Sequence, residues 1–183
     1  VYYSTNKKAC CADFFSAMLT GQAPDRGLYL PTHYPKVSRD FLRQLASEAY
    51  FEVATRVLHL YLSEIPEAEL RRLCRDAYTF FPALETCSRN RSLMRLDTGP
   101  TASFKDFAAQ MMSRLMSYRR TSSQRLVVLT ATSGDTGSAI AQAFHNIENI
   151  EIVVLFPIHE VSSTQRRQMT TLGGNVQAIA VDG

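Results

Sequence analysis

No run in these 183 residues is long and apolar enough to cross a membrane, and no basic-plus-apolar secretion signal opens the chain. Charge of one sign is also missing in excess. Lys and Arg total 20 against 17 Asp and Glu, a net of +3, and the cations are scattered among acids. That surplus is too small to argue for a nucleic-acid partner, so the pairs Arg119-Arg120 and Arg166-Arg167 are assigned to solvated helix faces. Cysteine is limited to Cys10, Cys11, Cys74 and Cys87. Their spacing matches no zinc site, and the adjacent pair cannot close an unstrained bridge. Free thiols in a reducing cytosol are expected. His33, His59, His145 and His159 lack metal-ligand spacing. There is no Ser-His-Asp grouping, and Ser133 stands in no G-x-S-x-G elbow. Asn90-Arg91-Ser92 fits a glycosylation acceptor, but without a secretion signal the match is fortuitous. No internal repeat or low-complexity tract is present.

What the chain has is the composition of an ordinary soluble globular protein, 45% hydrophobic and 20% charged. Residues 1–37 read as irregular with one short helix, capped by Asp13 and apolar at Phe14, Phe15, Met18 and Leu19. Ala23-Pro24-Asp25-Arg26-Gly27 predicts a turn before a short strand, Leu28–Pro31. From Ser38, apolar residues from Phe41 to Tyr61 recur at three- and four-residue steps, which predicts one long helical stretch. Pro66 suits the first turn of another helix, with a buried stripe of Leu70, Leu73, Cys74 and Ala77.

The pattern changes near residue 92. Strands are expected at 92–96, 126–130, 152–156 and 176–181, and helices at 104–120, 136–147 and 161–172. The first of these helices should bury Phe107, Ala108, Met111, Met112, Leu115 and Met116, with the methionines as core filler. This alternation at crossover length predicts an α/β fold with a parallel sheet covered on both faces. The division expected is a helical region, 1–91, followed by an α/β domain, 92–183.

Two segments carry chemistry. Lys105 sits at a loop-to-helix junction in Gly99-Pro100-Thr101-Ala102-Ser103-Phe104-Lys105-Asp106-Phe107. The gap from Gly99 to Lys105 equals that of a P-loop, but Phe104 stands where close phosphate approach needs glycine, and Asp106 where magnesium needs a hydroxyl. Sterics and charge exclude nucleoside triphosphate. A lysine that forms a Schiff base and a plain surface lysine both stay open, and the neighbouring Phe104 and Phe107 favour the first by desolvating the amine. The second segment, Ser133-Gly134-Asp135-Thr136-Gly137-Ser138, joins a buried strand to a helix. It is either an anion site at a helix start or a plain capped turn with Ser133 or Asp135 as the cap. The carboxylate of Asp135 disfavours a phosphate dianion there and favours a singly charged carboxylate ligand. In 161–169, Ser162 and Ser163 are capping candidates. Phosphate contact by these hydroxyls or by the arginines is the weaker reading.

Together the segments resemble the threonine synthase family, pyridoxal-phosphate (PLP) enzymes of the tryptophan-synthase-β fold type (fold type II). The resemblance runs through Tyr2-Tyr3-Ser4-Thr5-Asn6, Ala23–Pro31, Gly99–Phe107, Ala131–Ala139 and Gln168–Val176, and so spans the chain. It implies conversion of O-phosphohomoserine and water to L-threonine and phosphate in the cytoplasm. It implies that Lys105 holds PLP and shuttles protons, and that Asp135 lies beside the cofactor, where relatives often carry Asn. It also implies that the substrate carboxylate sits at Ser133, Gly134, Thr136 and Gly137, and that no metal takes part. A related phospholyase releasing 2-oxobutyrate, or a non-catalytic chain keeping the fold, would share these residues. Three positions depart from the family pattern: Thr98 stands for His, Arg26 for Gly and Glu160 for Lys. Starting at Val1 and stopping just after an expected strand, the chain reads as a fragment. The remaining cofactor contacts would then lie beyond residue 183, and the fragment alone would be inactive.

Overall fold

One carboxylate knots the opening segment together. Asp25 Oδ1 accepts from Ser4 Oγ at 2.5 Å and from the Gly27 N–H at 3.0 Å, while Oδ2 accepts from the N–H groups of Lys8 and Ala9, both at 2.9 Å. This gathers three stretches of chain around the turn that the Ala23–Gly27 segment predicts. Arg26 within it has φ 65, a left-handed conformation that glycine takes at less cost. The knot holds β1 (Tyr2–Ser4) antiparallel to β2 (Tyr29–Pro31). Between them lies α1 (Phe14–Thr20), capped by Asp13 as expected. β1 itself is too short to leave a periodic signal.

The computed structural model describes residues 1–119 and 125–182. In it the chain divides into two compact units, Val1–Arg75 and Asp76–Gly183. The sequence boundary at 91/92 marks where helices give way to alternating strands, whereas contact density places the intervening hairpin in the second unit. In the first unit, the expected long helix is two: α2 (Arg39–Leu45), capped by Ser38, and α3 (Tyr50–His59). The apolar period runs on through the break, which is why periodicity misses it. Ala49 is extended, with ψ 150. Arg56 of α3 reaches back to Glu48 at 2.7 Å and Gln44 at 2.9 Å, fixing the corner. α4 (Glu67–Ala77) follows, with Leu70, Leu73, Cys74 and Ala77 all buried. Burial pushes the Cys74 thiol above its ordinary pKa.

The second unit opens with a hairpin of β3 (Ala83–Ser88) and β4 (Arg91–Arg95). Of these, only the second strand is predicted by the sequence. α5 (Lys105–Arg119) comes next; the expected end of this helix at Arg120 lies outside the described residues. Its buried face differs from the expected one. Met111, Leu115 and Met116 are buried, but so are Asp106, Gln110 and Ser113, while Ala108 is exposed. Ser113 is satisfied locally, its Oγ donating to Gln110 O at 2.9 Å.

β5 (Leu126–Ala131), α6 (Asp135–Phe144), β6 (Ile150–Pro157), α7 (Ser163–Thr170) and β7 (Val176–Val181) then build two βαβ units. The three strands are parallel in the order β5-β6-β7. Ile150, Ile152, Val154 and Phe156 are buried on the face that carries α6 and α7. On the opposite face, Val127, Leu129, Ile179 and Val181 are exposed among the described residues. Because the strands are laid down in sequence order, both right-handed crossovers fall on the same side, so these helices cover one face.

The Asp25 knot has a pH signature. Its hydrogen bonds hold the carboxyl well below the usual carboxylate range, the Ser4 hydroxyl contributing most. The stability it contributes is therefore complete above the unfolded-state pKa of about 4 and is lost as pH falls toward the depressed folded value. Asp25→Asn should flatten the fall in melting temperature between about pH 4 and pH 2, read by circular dichroism across a pH series.

Candidate functional site

Lys105 owes its position to its neighbour. Asp106 is fully buried, accepts from the Thr101 N–H at 2.8 Å on Oδ2 and from Thr101 Oγ at 2.7 Å on Oδ1, and so folds residues 99–105 back onto the first turn of α5. Gly99 lets this happen: a Cβ there would stand 2.5 Å from Asp106 Oδ2. Ala102, inside the loop, takes φ 57. Thr98, where the family pattern has His, spends its hydroxyl on Phe81 O at 2.7 Å and serves the scaffold. The lysine thus leaves the first helical position of α5 with its backbone determined.

The second loop is organised by Thr132, which follows β5. Its Oγ accepts from the N–H groups of Gly134 at 3.0 Å and Gly137 at 3.1 Å. Neither Ser133 nor Asp135 caps α6. The cap position is Gly134, with φ 146, and no side chain bonds to the helix from it. The N–H groups of Asp135 and Thr136, at the mouth of the helix, donate to no described residue. Gly137 and Ser138 are buried, and Asp135 and Thr136 are exposed.

These loops meet. Lys105 Nζ lies 3.8 Å from Asp135 Oδ2 and 4.4 Å from the centre of the Phe104 ring. The lysine side chain is 31% exposed, so the amine is sheltered but reachable. Beside it a cleft of about 210 Å³ is lined by Phe104, Lys105, Ala108, Met112, Thr136 and Ile140, among others. The lining is almost wholly apolar apart from the amine and Thr136. Met112 is a wall of this cleft rather than filler. The geometry offers an accessible amine with no closer ionic partner than 3.8 Å, an apolar wall able to accept a flat ring, and free backbone N–H groups able to face an anion. An aldehyde cofactor held by Lys105 fits those features.

Of the residues singled out from sequence, Lys105, Asp135 and Thr136 come together. Ser133 and Gly134 belong to the adjoining turn, and Gly137 is spent on Thr132 and packing. Three contributors were not foreseen. In the sequence Asp106 signals only that a P-loop is excluded. Thr132 gave no signal, since its role depends on the turn after it. Gln165 donates from Nε2 to Asp135 Oδ1 at 2.5 Å. Ser162-x-x-Gln165 fits the capping-box pattern, which the structure forms in full. Glu160 follows β6 in a turn, its N–H bonded to Pro157 O at 3.4 Å.

Residues 1–78 match the family model for the N terminus of threonine synthase. Over its whole length the chain is 35% identical to a threonine synthase of Pseudomonas aeruginosa, covering 40% of that protein. Among solved structures, a PLP-bound threonine synthase from Brucella melitensis is 40% identical, with a TM-score of 0.92 over all of this chain and 41% of that one. Threonine synthase from Escherichia coli is 29% identical, with a TM-score of 0.90 over all of this chain and 42% of the other. The chain therefore spans about 40% of the length of the relatives it matches, and its fold is PLP fold type II, α/β with a parallel sheet. A lysine loop and a glycine turn that share one cleft, on a backbone aligned throughout with these enzymes, place the chain in the threonine synthase family, as part of its N-terminal region.

Proposed function

We propose that the protein carrying this chain is a threonine synthase, converting O-phosphohomoserine and water to L-threonine and phosphate with pyridoxal phosphate as cofactor. The observation that carries this reading is the meeting of Lys105 with the Asp135–Thr136 turn at one apolar cleft. When bound, PLP supplies an electron sink for negative charge developing on the substrate's carbons. The chain's own residues do the rest. Lys105 would hold the cofactor through its ε-nitrogen, and the same amine would move protons to and from the substrate carbons. Phe104, Ala108, Met112 and Ile140 form an apolar wall along that nitrogen. The free N–H groups of Asp135 and Thr136, aided by the positive end of α6, hold the substrate carboxylate, with the Ser133 hydroxyl beside them. Asp135 lies next to the reacting amine and sets its electrostatic surroundings. The four free thiols accord with a cytoplasmic protein. No helix among the described residues is long and apolar enough to cross a membrane.

The purified protein that carries this chain should bind PLP with visible absorbance and release threonine from O-phosphohomoserine. Lys105→Ala should abolish the covalent band and lower turnover by at least about a hundredfold. Formation of 2-oxobutyrate in place of threonine would identify a phospholyase. No band on adding PLP would leave a non-catalytic member of the fold. Asp106→Ala, which orphans both donors of Thr101, should cost about 3 kcal/mol in urea unfolding, while Asp106→Asn, which keeps one acceptor, should cost about 1 kcal/mol.

A further inference from the structure

We propose that Gln165 is a positioning residue that keeps Asp135 from closing onto Lys105, an inference that rests on reading Lys105 as the cofactor lysine. The Asp135 carboxylate is shared. Oδ1 accepts from Gln165 Nε2 at 2.5 Å, while Oδ2 faces Lys105 Nζ at 3.8 Å. A direct ammonium–carboxylate hydrogen bond spans about 2.7–2.9 Å, so the ionic contact stops about an ångström short. Both side chains are partly open to solvent, 31% for Lys105 and 53% for Asp135, and the tether on the far oxygen restrains the carboxylate.

Gln165 is itself fixed. Its Oε1 accepts from Ser162 Oγ at 2.8 Å and from the Ser162 N–H at 3.3 Å, completing the capping box of α7. With the carbonyl oxygen committed to Ser162, the amide nitrogen points at Asp135. The amide lies against Gly134, where a Cβ would stand 2.5 Å from Nε2. Any side chain at that position would push the amide away. One turn further along α7, Gln168 Nε2 donates to Thr101 O at 3.3 Å, in the loop that carries Lys105. The same helix therefore touches both loops of the site, and its register sets their separation.

The chemical stake is the state of the amine. An amine attacks a carbonyl carbon only without its extra proton, and a carboxylate in direct contact favours the protonated form. At 3.8 Å, Asp135 stays near enough to act on the reacting atoms without locking the lysine into a closed ion pair.

The decisive variant is Gln165→Glu. It keeps an acceptor for Ser162, so the capping box survives, but it cannot donate to Asp135 and repels it toward Lys105. In cofactor-free protein, acetylation of Lys105 by acetic anhydride, followed by peptide mass, should slow about fivefold, and PLP capture read from visible absorbance should weaken about tenfold. In an Asp135→Ala background the same substitution should change either readout less than about twofold. The melting temperature should stay within about 2 °C of the parent. Unchanged Lys105 acetylation in Gln165→Glu, or an equal loss in both backgrounds, would overturn the proposal. If the parent takes up no PLP while acetylation follows the expected pattern, the positioning role stands and the cofactor reading falls.

Discussion

Two hydrogen bonds from Thr101 to the buried carboxylate of Asp106 carry most of the architecture of this site. They turn a six-residue stretch, 99–104, that lacks regular structure into a loop with one geometry. They also place the next residue back, Lys105, at the start of a helix facing another helix start. A buried carboxyl group left without donors would be costly, so its oxygens dictate where Thr101 must lie. The loop in turn dictates the direction of the lysine. The adjoining turn is built on the same economy, with a single Thr132 hydroxyl ordering two glycine N–H groups.

Parallel pairing of β5, β6 and β7 supplies the frame for this arrangement. It brings the carboxyl end of β5 next to the start of α7, which is how residue 165 reaches residue 135. Ligands gather at such ends because helix N-termini converge there. In this chain the convergence brings together an amine, a carboxylate, an amide and two free backbone N–H groups.

The second half of the fold was legible because its parallel strands are six to eight largely apolar residues separated by helical spacing. The limits of β7, 176–181, coincide with expectation. Short elements paired by backbone alone, β1 and β3, left no periodic trace. The corner at 46–49 stayed hidden because the apolar rhythm continues across it while the backbone does not. Within the site, the reactive residues could be named because their types are chemically distinctive. Their supports could not, because Asp106, Thr132 and Gln165 matter through hydrogen bonds that exist only after folding.

Arg26 illustrates how support of this kind shapes what a lineage can tolerate. A side chain at φ 65 costs about 1–2 kcal/mol relative to glycine, yet the turn keeps its shape because the preceding aspartate ties down four groups around it. The surplus in that knot gives position 26 evolutionary latitude. Such freedom is conditional: were residue 25 to lose its acceptor oxygens, arginine next door would pass from a neutral variant to a burden. The two positions are thereby coupled through the shape of a single turn.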